Sequence, residues 1–217
     1  MSSFAEKNSK VIARLTDYRI VPVVSLPSVQ AGITLAEILV ESGLPVAEVT
    51  FRTPCAAEAI AAMKERCSEL TIMAGTVLTT EQVDIARQAG AEGIVIPGFE
   101  RQLVAHCLEQ EIPVCPGTAT ASEVLQCRCM GVNAVKFFPA EVAGGIQMLK
   151  ALTAVYGDMH FMPTGGVNMD NLLEYLELSS VFCCGGSWLA SEELMRQGAW
   201  MEIRNRIKRA LLAIGSR

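Results

Sequence analysis

The sequence predicts an α/β protein: a single (β/α)8 TIM barrel over residues 1–217 with an N-terminal helical extension. Two observations lead to this fold class: β-branched runs alternate with amphipathic stretches, and each kind occurs eight times. The length of 217 residues suits one barrel better than two small domains. An open doubly wound sheet is the alternative, but no Gly-x-Gly-x-x-Gly motif follows the first predicted strand.

The eight predicted strands are short and mostly apolar: Ile20–Ser25, Ala47–Phe51, Thr71–Ala74, Gly93–Ile96, Pro113–Cys115, Ala134–Phe137, His160–Met162 and Val181–Cys184. A helix is predicted after each strand, because apolar residues there recur at helical spacing. These helices are Thr34–Ser42, Ala56–Cys67, Thr80–Ala89, Glu100–Glu109, Ser122–Met130, Ile146–Val155, Met169–Leu176 and Ala199–Leu212. In such a barrel the functional residues lie at the carboxyl ends of the strands.

Charge and hydropathy exclude several classes of function. A net charge of -5 gives no basic surface for nucleic acid. The polar start of the chain shows no signal peptide, and no apolar run approaches the roughly 20 residues of a membrane span. We therefore expect a cytoplasmic protein that binds neither nucleic acid nor membrane.

The cysteines do not form a metal-binding pattern. None of the eight belongs to a Cys-x-x-Cys pair, and the two histidines have no evident ligand partners. His106 falls on a predicted helix, and His160 opens the seventh strand, away from the expected site. We expect most of the thiols to pack as small apolar groups, and we expect no metal and no cofactor.

Glu48 and Arg52 are placed together by the pattern of the second strand. A period of two puts Glu48, Thr50 and Arg52 on one face and apolar residues on the other. The apolar face must meet the helices, so Glu48 and Arg52 should point into the barrel or its mouth. A buried glutamate is costly unless it is paired or functional, and a structural Glu48–Arg52 pair is the alternative.

Lys136 is the one lysine that falls within a predicted strand. Its neighbours in the strand are apolar, and burial disfavours the charged form of an amine. A neutral amine is a nucleophile toward a carbonyl carbon, which predicts a Schiff-base lysine. Alternatively, Lys136 reaches to the mouth of the barrel or binds phosphate as a point charge.

Glycine pairs follow the last two strands, in Pro163-Thr164-Gly165-Gly166 and Gly185-Gly186-Ser187. Loops at the seventh and eighth positions of such barrels frequently bind phosphate through backbone N–H groups. Ser187 could add a hydroxyl donor. At the ends of the third and fourth strands, Thr76 brings another hydroxyl to the mouth and Pro97 is expected to shape its loop.

Five motifs in the same order resemble the 2-keto-3-deoxy-6-phosphogluconate (KDPG) aldolases, which are also described as 4-hydroxy-2-oxoglutarate aldolases. The motifs span roughly residues 20 to 190: Glu48-Val-Thr-Phe-Arg52-Thr, Ala74-Gly-Thr76-Val-Leu78, Lys136-Phe-Phe138-Pro-Ala-Glu141, Pro163-Thr164-Gly-Gly166 and Gly185-Gly-Ser187-Trp188.

The resemblance implies a role for each matching residue. Lys136 would form the Schiff base and Glu48 would act as the general acid/base, without metal or cofactor. The remaining residues would bind substrate: Arg52 and Thr76 at its carboxylate, Phe138 near the reacting carbons, Gly165, Gly166, Gly186 and Ser187 at its phosphate, with Pro97 and Thr164 also lining the site. Within this family, Arg52 and Thr164 favour a substrate derived from gluconate over its galactonate epimer.

The resemblance also implies a small-molecule substrate and a homotrimer. The expected reaction gives pyruvate and glyceraldehyde 3-phosphate, and cleavage of 4-hydroxy-2-oxoglutarate would give pyruvate and glyoxylate. Two alternatives stand beside it. One is a phosphate-binding barrel isomerase or synthase in which Lys136 acts only through its charge, and the other is a non-catalytic binder of a phosphorylated sugar acid.

Overall fold

The structure is a computed structural model that describes residues 4–215, with side chains from Asn8 onward. The strands are β1 (Ile20–Val24), β2 (Val46–Thr50), β3 (Thr71–Gly75), β4 (Gly93–Val95), β5 (Val114–Cys115), β6 (Gly117–Thr118), β7 (Ala134–Phe137), β8 (His160–Pro163) and β9 (Cys184–Gly186). The helices are α1 (Phe4–Tyr18), α2 (Val29–Glu41), α3 (Ala56–Arg66), α4 (Thr80–Gln88), α5 (Arg101–Glu109), α6 (Ala121–Cys129), α7 (Gly145–Val155), α8 (Leu172–Leu176), α9 (Glu192–Arg196) and α10 (Trp200–Ala213).

The parallel strands close into a barrel, which confirms the predicted fold class. One sheet has the order β5-β4-β3-β2-β1-β9 and the other β6-β7-β8. β5 and β6 are two halves of the fifth barrel strand, separated by Pro116, whose carbonyl accepts a 2.8 Å hydrogen bond from the Lys136 N–H. Single bridges from Phe161 to Val181 and from Thr164 to Gly185 join β8 to the last strand.

The last strand lies further along the chain than predicted. Val181 makes only a single bridge, and β9 begins at Cys184, so Gly185 and Gly186 are strand residues rather than a turn. They pair in register with Val21 and Pro22 of β1. Glycine is needed here because a Cβ on Gly185 would overlap the Thr164 side chain.

Near the carboxyl terminus, one helical prediction was wrong in detail and one helix was missed. α8 begins at Leu172 rather than Met169, because Asn168 and Asn171 use their side chains to hydrogen-bond the turn that precedes it. α9 was not predicted, and it begins after Ser191, whose hydroxyl accepts from the Leu194 N–H.

The predicted N-terminal helical extension is α1, which covers the amino-terminal end of the barrel. Val11 and Leu15 are buried in the core. Arg14 on the same helix hydrogen-bonds Thr71, which opens β3, and pairs with Glu92, which precedes β4. A site is therefore expected at the opposite, carboxyl end of the strands. In the part of the chain from 4 to 215, no helix has both the length and the apolar content to cross a membrane.

Candidate active site

Glu48 and Lys136 meet inside the barrel as a buried ion pair. Glu48 on β2 is 0% exposed and Lys136 on β7 is 5% exposed. The Lys136 Nζ lies 2.8 Å from Glu48 Oε1 and 3.2 Å from Oε2. Strand register places buried Met73 beside Glu48 and buried Met162 beside Lys136, so the surroundings are apolar. A proton can pass directly between this amine and this carboxylate.

Gly75 provides the space that the Glu48 side chain occupies. A Cβ on Gly75 would overlap Oε1, Cγ and Cδ of Glu48. The next residue, Thr76, has a φ of 54°, a left-handed conformation that is rare for threonine, and it is half-buried. The end of β3 thus leaves room for the Glu48 carboxylate at Gly75 and places a hydroxyl-bearing residue in an uncommon backbone conformation directly after it.

Lys136 is also positioned by aromatic and hydroxyl neighbours. Its Nζ lies 5.4 Å from the centroid of the Phe138 ring, within the range of a cation–π contact. The Thr118 hydroxyl donates to the Lys136 carbonyl at 3.3 Å and ties β6 to β7. The amine therefore has an anionic partner on one side and an aromatic face on another.

The glycine-rich end of the site comprises Gly165, Gly166, Gly186 and Ser187, in the segments that end or follow β8 and β9. Gly165 and Gly166 have φ values of 95° and 87°, which side chains other than that of glycine rarely adopt. A Cβ on Gly165 would lie 3.3 Å from the Phe138 ring, so this turn packs against the aromatic group that faces Lys136. Ser187 is exposed directly after β9.

Thr164, Pro97 and Arg52 also lie at or beyond the carboxyl ends of strands. Thr164 is buried, and its hydroxyl lies 3.4 Å from the Met162 carbonyl. Pro97 is half-buried, and its carbonyl lies where a Cβ on Gly117 would be. Arg52 is exposed in the turn after β2. Glu48 pairs with Lys136 and not with Arg52, contrary to the alternative of a structural Glu–Arg pair.

Thr50, which shares the inward face of β2, is engaged within the protein. Its hydroxyl donates to the Val24 carbonyl at 3.0 Å and lies 2.8 Å from the Ser25 hydroxyl. The Thr50 hydroxyl has one proton, so Ser25 donates in the second contact. This pair joins the ends of β1 and β2 beside the site.

The histidines lie apart from this chemistry, and the cysteines are not among its proposed reacting groups. His160 is exposed at the start of β8, and His106 pairs with Asp84, with Nε2 2.9 Å from Oδ1. All eight cysteines are free thiols. Burial raises the pKa of Cys107 and Cys127 to about 12. Among residues 4–215, no three His, Cys, Asp or Glu side chains cluster in a way that could hold a metal ion.

One contact beside the glycine-rich end was not predicted from the sequence. The Tyr175 hydroxyl donates to the Glu141 carboxylate, and Glu141 packs against Gly166. Glu141 belongs to one of the five motifs, but no role followed from its position. Tyr175 fits the apolar face of a helix, and its partner lies 34 residues away, so local sequence carries no indication of the contact.

Comparisons with known proteins all point to one family of aldolases. The family described as KDPG and KHG aldolase matches residues 11–206. A 2-dehydro-3-deoxy-phosphogluconate aldolase of Treponema pallidum is 41% identical over 205 residues, which cover 94% of this chain and 98% of the relative. Two solved structures are also similar along almost their whole length.

The first is KDPG aldolase from Legionella pneumophila, with pyruvate captured at low pH as a covalent carbinolamine intermediate. It has a TM-score of 0.88 and 39% identity, with 92% of this chain and 97% of that chain covered. The second is the 2-keto-3-deoxy-6-phosphogluconate aldolase of Zymomonas mobilis ZM4 with 3-phosphoglycerate. Its TM-score is 0.86 at 36% identity, with 94% of this chain and 95% of that chain covered.

Proposed function

This chain belongs to the KDPG and KHG aldolase family, and we propose that it cleaves 2-dehydro-3-deoxy-6-phosphogluconate through a Schiff base on Lys136. The products are pyruvate and glyceraldehyde 3-phosphate, and 4-hydroxy-2-oxoglutarate is cleaved in the same way to pyruvate and glyoxylate. The observation that carries the proposal is the buried contact between the Lys136 amine and the Glu48 carboxylate. It places a nucleophile and a proton acceptor 2.8 Å apart in an apolar interior.

In the first half of the reaction, Glu48 takes a proton from the Lys136 ammonium, and the free amine attacks C2 of the substrate. Glu48 returns a proton to the resulting carbinolamine hydroxyl, which leaves as water and gives the protonated imine. The first transfer is between two groups that are already within hydrogen-bond reach in the structure.

In the second half, Glu48 accepts the proton of the C4 hydroxyl as the C3–C4 bond breaks. The bond electrons move into the protonated imine and form an enamine, and the C4 fragment leaves as the aldehyde. Glu48 then protonates C3, and water hydrolyses the imine to release pyruvate and regenerate the amine. One carboxylate can serve every proton transfer because it lies beside Lys136, on which each intermediate forms.

The rest of the site binds the two ends of the substrate. Arg52 and Thr76 bind its carboxylate, and Phe138 packs near the reacting carbons, consistent with its contact with the Lys136 amine. The glycine-rich end binds the phosphate through backbone N–H groups and the Ser187 hydroxyl. Thr164 and Pro97 complete the wall of the site between these ends.

We further propose that residues 1–217 fold as one domain and that the chain forms a homotrimer. The continuous barrel supports the first proposal, and the family resemblance is the ground for the second. Native mass spectrometry should give three times the 23.3 kDa chain mass. A monomer or dimer at micromolar concentration would contradict the homotrimer without affecting the assignment of activity.

Reductive trapping tests the Schiff base directly. The protein is incubated with pyruvate and borohydride and digested, and the modified lysine is identified by mass spectrometry. We expect one pyruvyl adduct, on Lys136, and none in Lys136→Ala. Lys150→Ala is the matched control, because Lys150 is exposed on α7 and should leave trapping unchanged. Wild-type protein that cleaves the substrate but traps no adduct would overturn the covalent mechanism, and protein that releases no pyruvate would overturn the aldolase.

A further inference from the structure

The contact between Tyr175 and Glu141 connects three elements around the glycine-rich end. Tyr175 on α8 is fully buried, yet its hydroxyl reaches the Glu141 carboxylate in the loop that follows β7. A Cβ on Gly145, the first residue of α7, would lie 3.3 Å from the Tyr175 hydroxyl oxygen and 3.4 Å from Glu141 Oε1. The carboxylate therefore lies at the start of α7, where the helix dipole favours negative charge.

Glu141 also contacts the Gly165–Gly166 turn directly. A Cβ on Gly166 would overlap Cβ and Cγ of Glu141, so the stem of this side chain lies against the turn. The Glu141 N–H donates to the Gly165 carbonyl at 3.1 Å. The loop that carries Glu141 begins one residue after Phe137, the last residue of the strand that holds Lys136.

The other side of the turn is held by two asparagines. The Nδ2 atoms of Asn168 and Asn171 donate to the Gly166 carbonyl at 3.2 and 3.1 Å. These bonds fix the plane of the peptide that follows Gly166, while Glu141 limits how far the turn can move toward β7. A backbone group binds an anion well only if its direction is fixed before the anion arrives.

We propose that Glu141 and Tyr175 are positioning residues that set the distance between the Lys136 amine and the phosphate-binding turn. The inference rests on the proposed function, since it assumes a substrate with a phosphate at one end and a carbonyl at the other. Tyr175 holds the Glu141 carboxylate, and the Glu141 stem holds Gly166. A substrate without phosphate does not use the turn, so its cleavage does not depend on this contact.

Tyr175→Phe tests the inference, because it removes the hydroxyl and leaves the buried ring. We expect KM for 2-dehydro-3-deoxy-6-phosphogluconate to rise about tenfold, because the turn loses a contact that holds it in position before the phosphate binds. The KM and kcat for 4-hydroxy-2-oxoglutarate should stay within about twofold of wild type. Tyr156→Phe is the matched control, since it removes a phenol hydroxyl that bonds the Ala121 carbonyl elsewhere.

Two substitutions at Glu141 separate the contact from general stability. Glu141→Gln retains a carbonyl oxygen that can accept from Tyr175, so KM for the phosphorylated substrate should not rise, whereas Glu141→Ala should raise it as Tyr175→Phe does. Equal KM values in Tyr175→Phe and wild type, or an equal change for both substrates, would overturn the positioning role. Wild-type protein that cleaves neither substrate would instead overturn the proposed function.

Discussion

The buried ion pair of Glu48 and Lys136 differs from the glycine-rich end in the groups that form it. The ion pair consists of two side chains on barrel strands, both almost completely removed from solvent. The glycine-rich end is mostly backbone, partly exposed, and held by side chains of neighbouring loops. Strand positions fix reacting atoms closely, whereas turns present N–H groups toward an anion. Damage to the ion pair should therefore slow every substrate, and damage to the glycine-rich end should weaken only phosphorylated ones.

Removal of the nucleophile has the largest expected effect. Lys136→Ala should lower kcat/KM on the order of 10⁴-fold or more for both the phosphorylated and the unphosphorylated substrate. Steady-state assays with a coupled pyruvate readout measure this, and Lys150→Ala should behave as wild type. Loss of activity toward only the phosphorylated substrate would mean that Lys136 is a phosphate ligand and would assign it to the glycine-rich end.

Removal of the proton acceptor should have the next largest effect on the reaction rate. Glu48→Gln retains a hydrogen-bond acceptor for Lys136 but cannot take up protons at neutral pH, so kcat should fall by about 10²- to 10⁴-fold. The fall should be similar for both substrates, because Glu48 makes the same proton transfers in both reactions. Glu58→Gln, at an exposed position on α3, is the control. A variant in which KM alone changes would contradict the acid/base role.

Gly75→Ala disturbs the ion pair without altering either of its members. The added methyl group overlaps the Glu48 carboxylate and must displace it from Lys136. A misplacement of about 1 Å can lower kcat by roughly 10²-fold, so we expect that order of loss for both substrates. Gly98→Ala is the matched control, because a Cβ there meets nothing within 4 Å. Equal activity of the two variants would show that the position of Glu48 does not limit the reaction.

Lys136 and Glu48 could be found from the sequence because strand alternation is a local property. A period of two assigns each residue to a face from its immediate neighbours, and a charge on an otherwise apolar face is conspicuous. Their contact across the barrel was not predicted, because it depends on how the closed topology brings β2 and β7 together. The sequence also indicated the two glycine pairs that form most of the glycine-rich end.

Features that depend on distant partners could not be predicted. Gly185 and Gly186 resemble turn residues locally, but they are strand residues because β1 pairs with them and Thr164 fills the space beside Gly185. The Glu141–Tyr175 contact joins residues 34 apart, and neither neighbourhood suggests the other. Such features are determined by packing among elements, which composition and periodicity do not encode.

At the glycine-rich end, the single side chain assigned to the phosphate gives a smaller and more selective effect. Ser187→Ala should raise KM for the phosphorylated substrate about tenfold and leave 4-hydroxy-2-oxoglutarate unaffected, because one hydrogen bond to an anion is lost. Ser179→Ala is the control, since Ser179 is exposed before β9, toward the opposite end of the barrel. An equal KM increase for both substrates would contradict the division of the site into two ends.

The smallest expected effect concerns the thiols, which are part of neither the buried ion pair nor the glycine-rich end. Burial raises the pKa of Cys107, Cys127 and Cys184 from 9.0 to about 12, so these groups stay protonated in the fold at pH 8. Iodoacetamide at pH 8 should therefore alkylate exposed Cys129 first and leave kcat within about twofold of the untreated value. Peptide mapping by mass spectrometry identifies the sites.

The same thiols predict how stability depends on pH. A thiol whose pKa is higher in the fold than in the unfolded chain contributes stability that is constant below about pH 9 and declines as the pH rises toward 12. Urea unfolding at several pH values measures this decline.

In the alkylation experiment, rapid loss of activity with modification of buried Cys115 rather than Cys129 would show that a thiol near Lys136 is accessible. The apolar surroundings of the buried ion pair would then be open to solvent, and the contrast between the ion pair and the glycine-rich end would not hold.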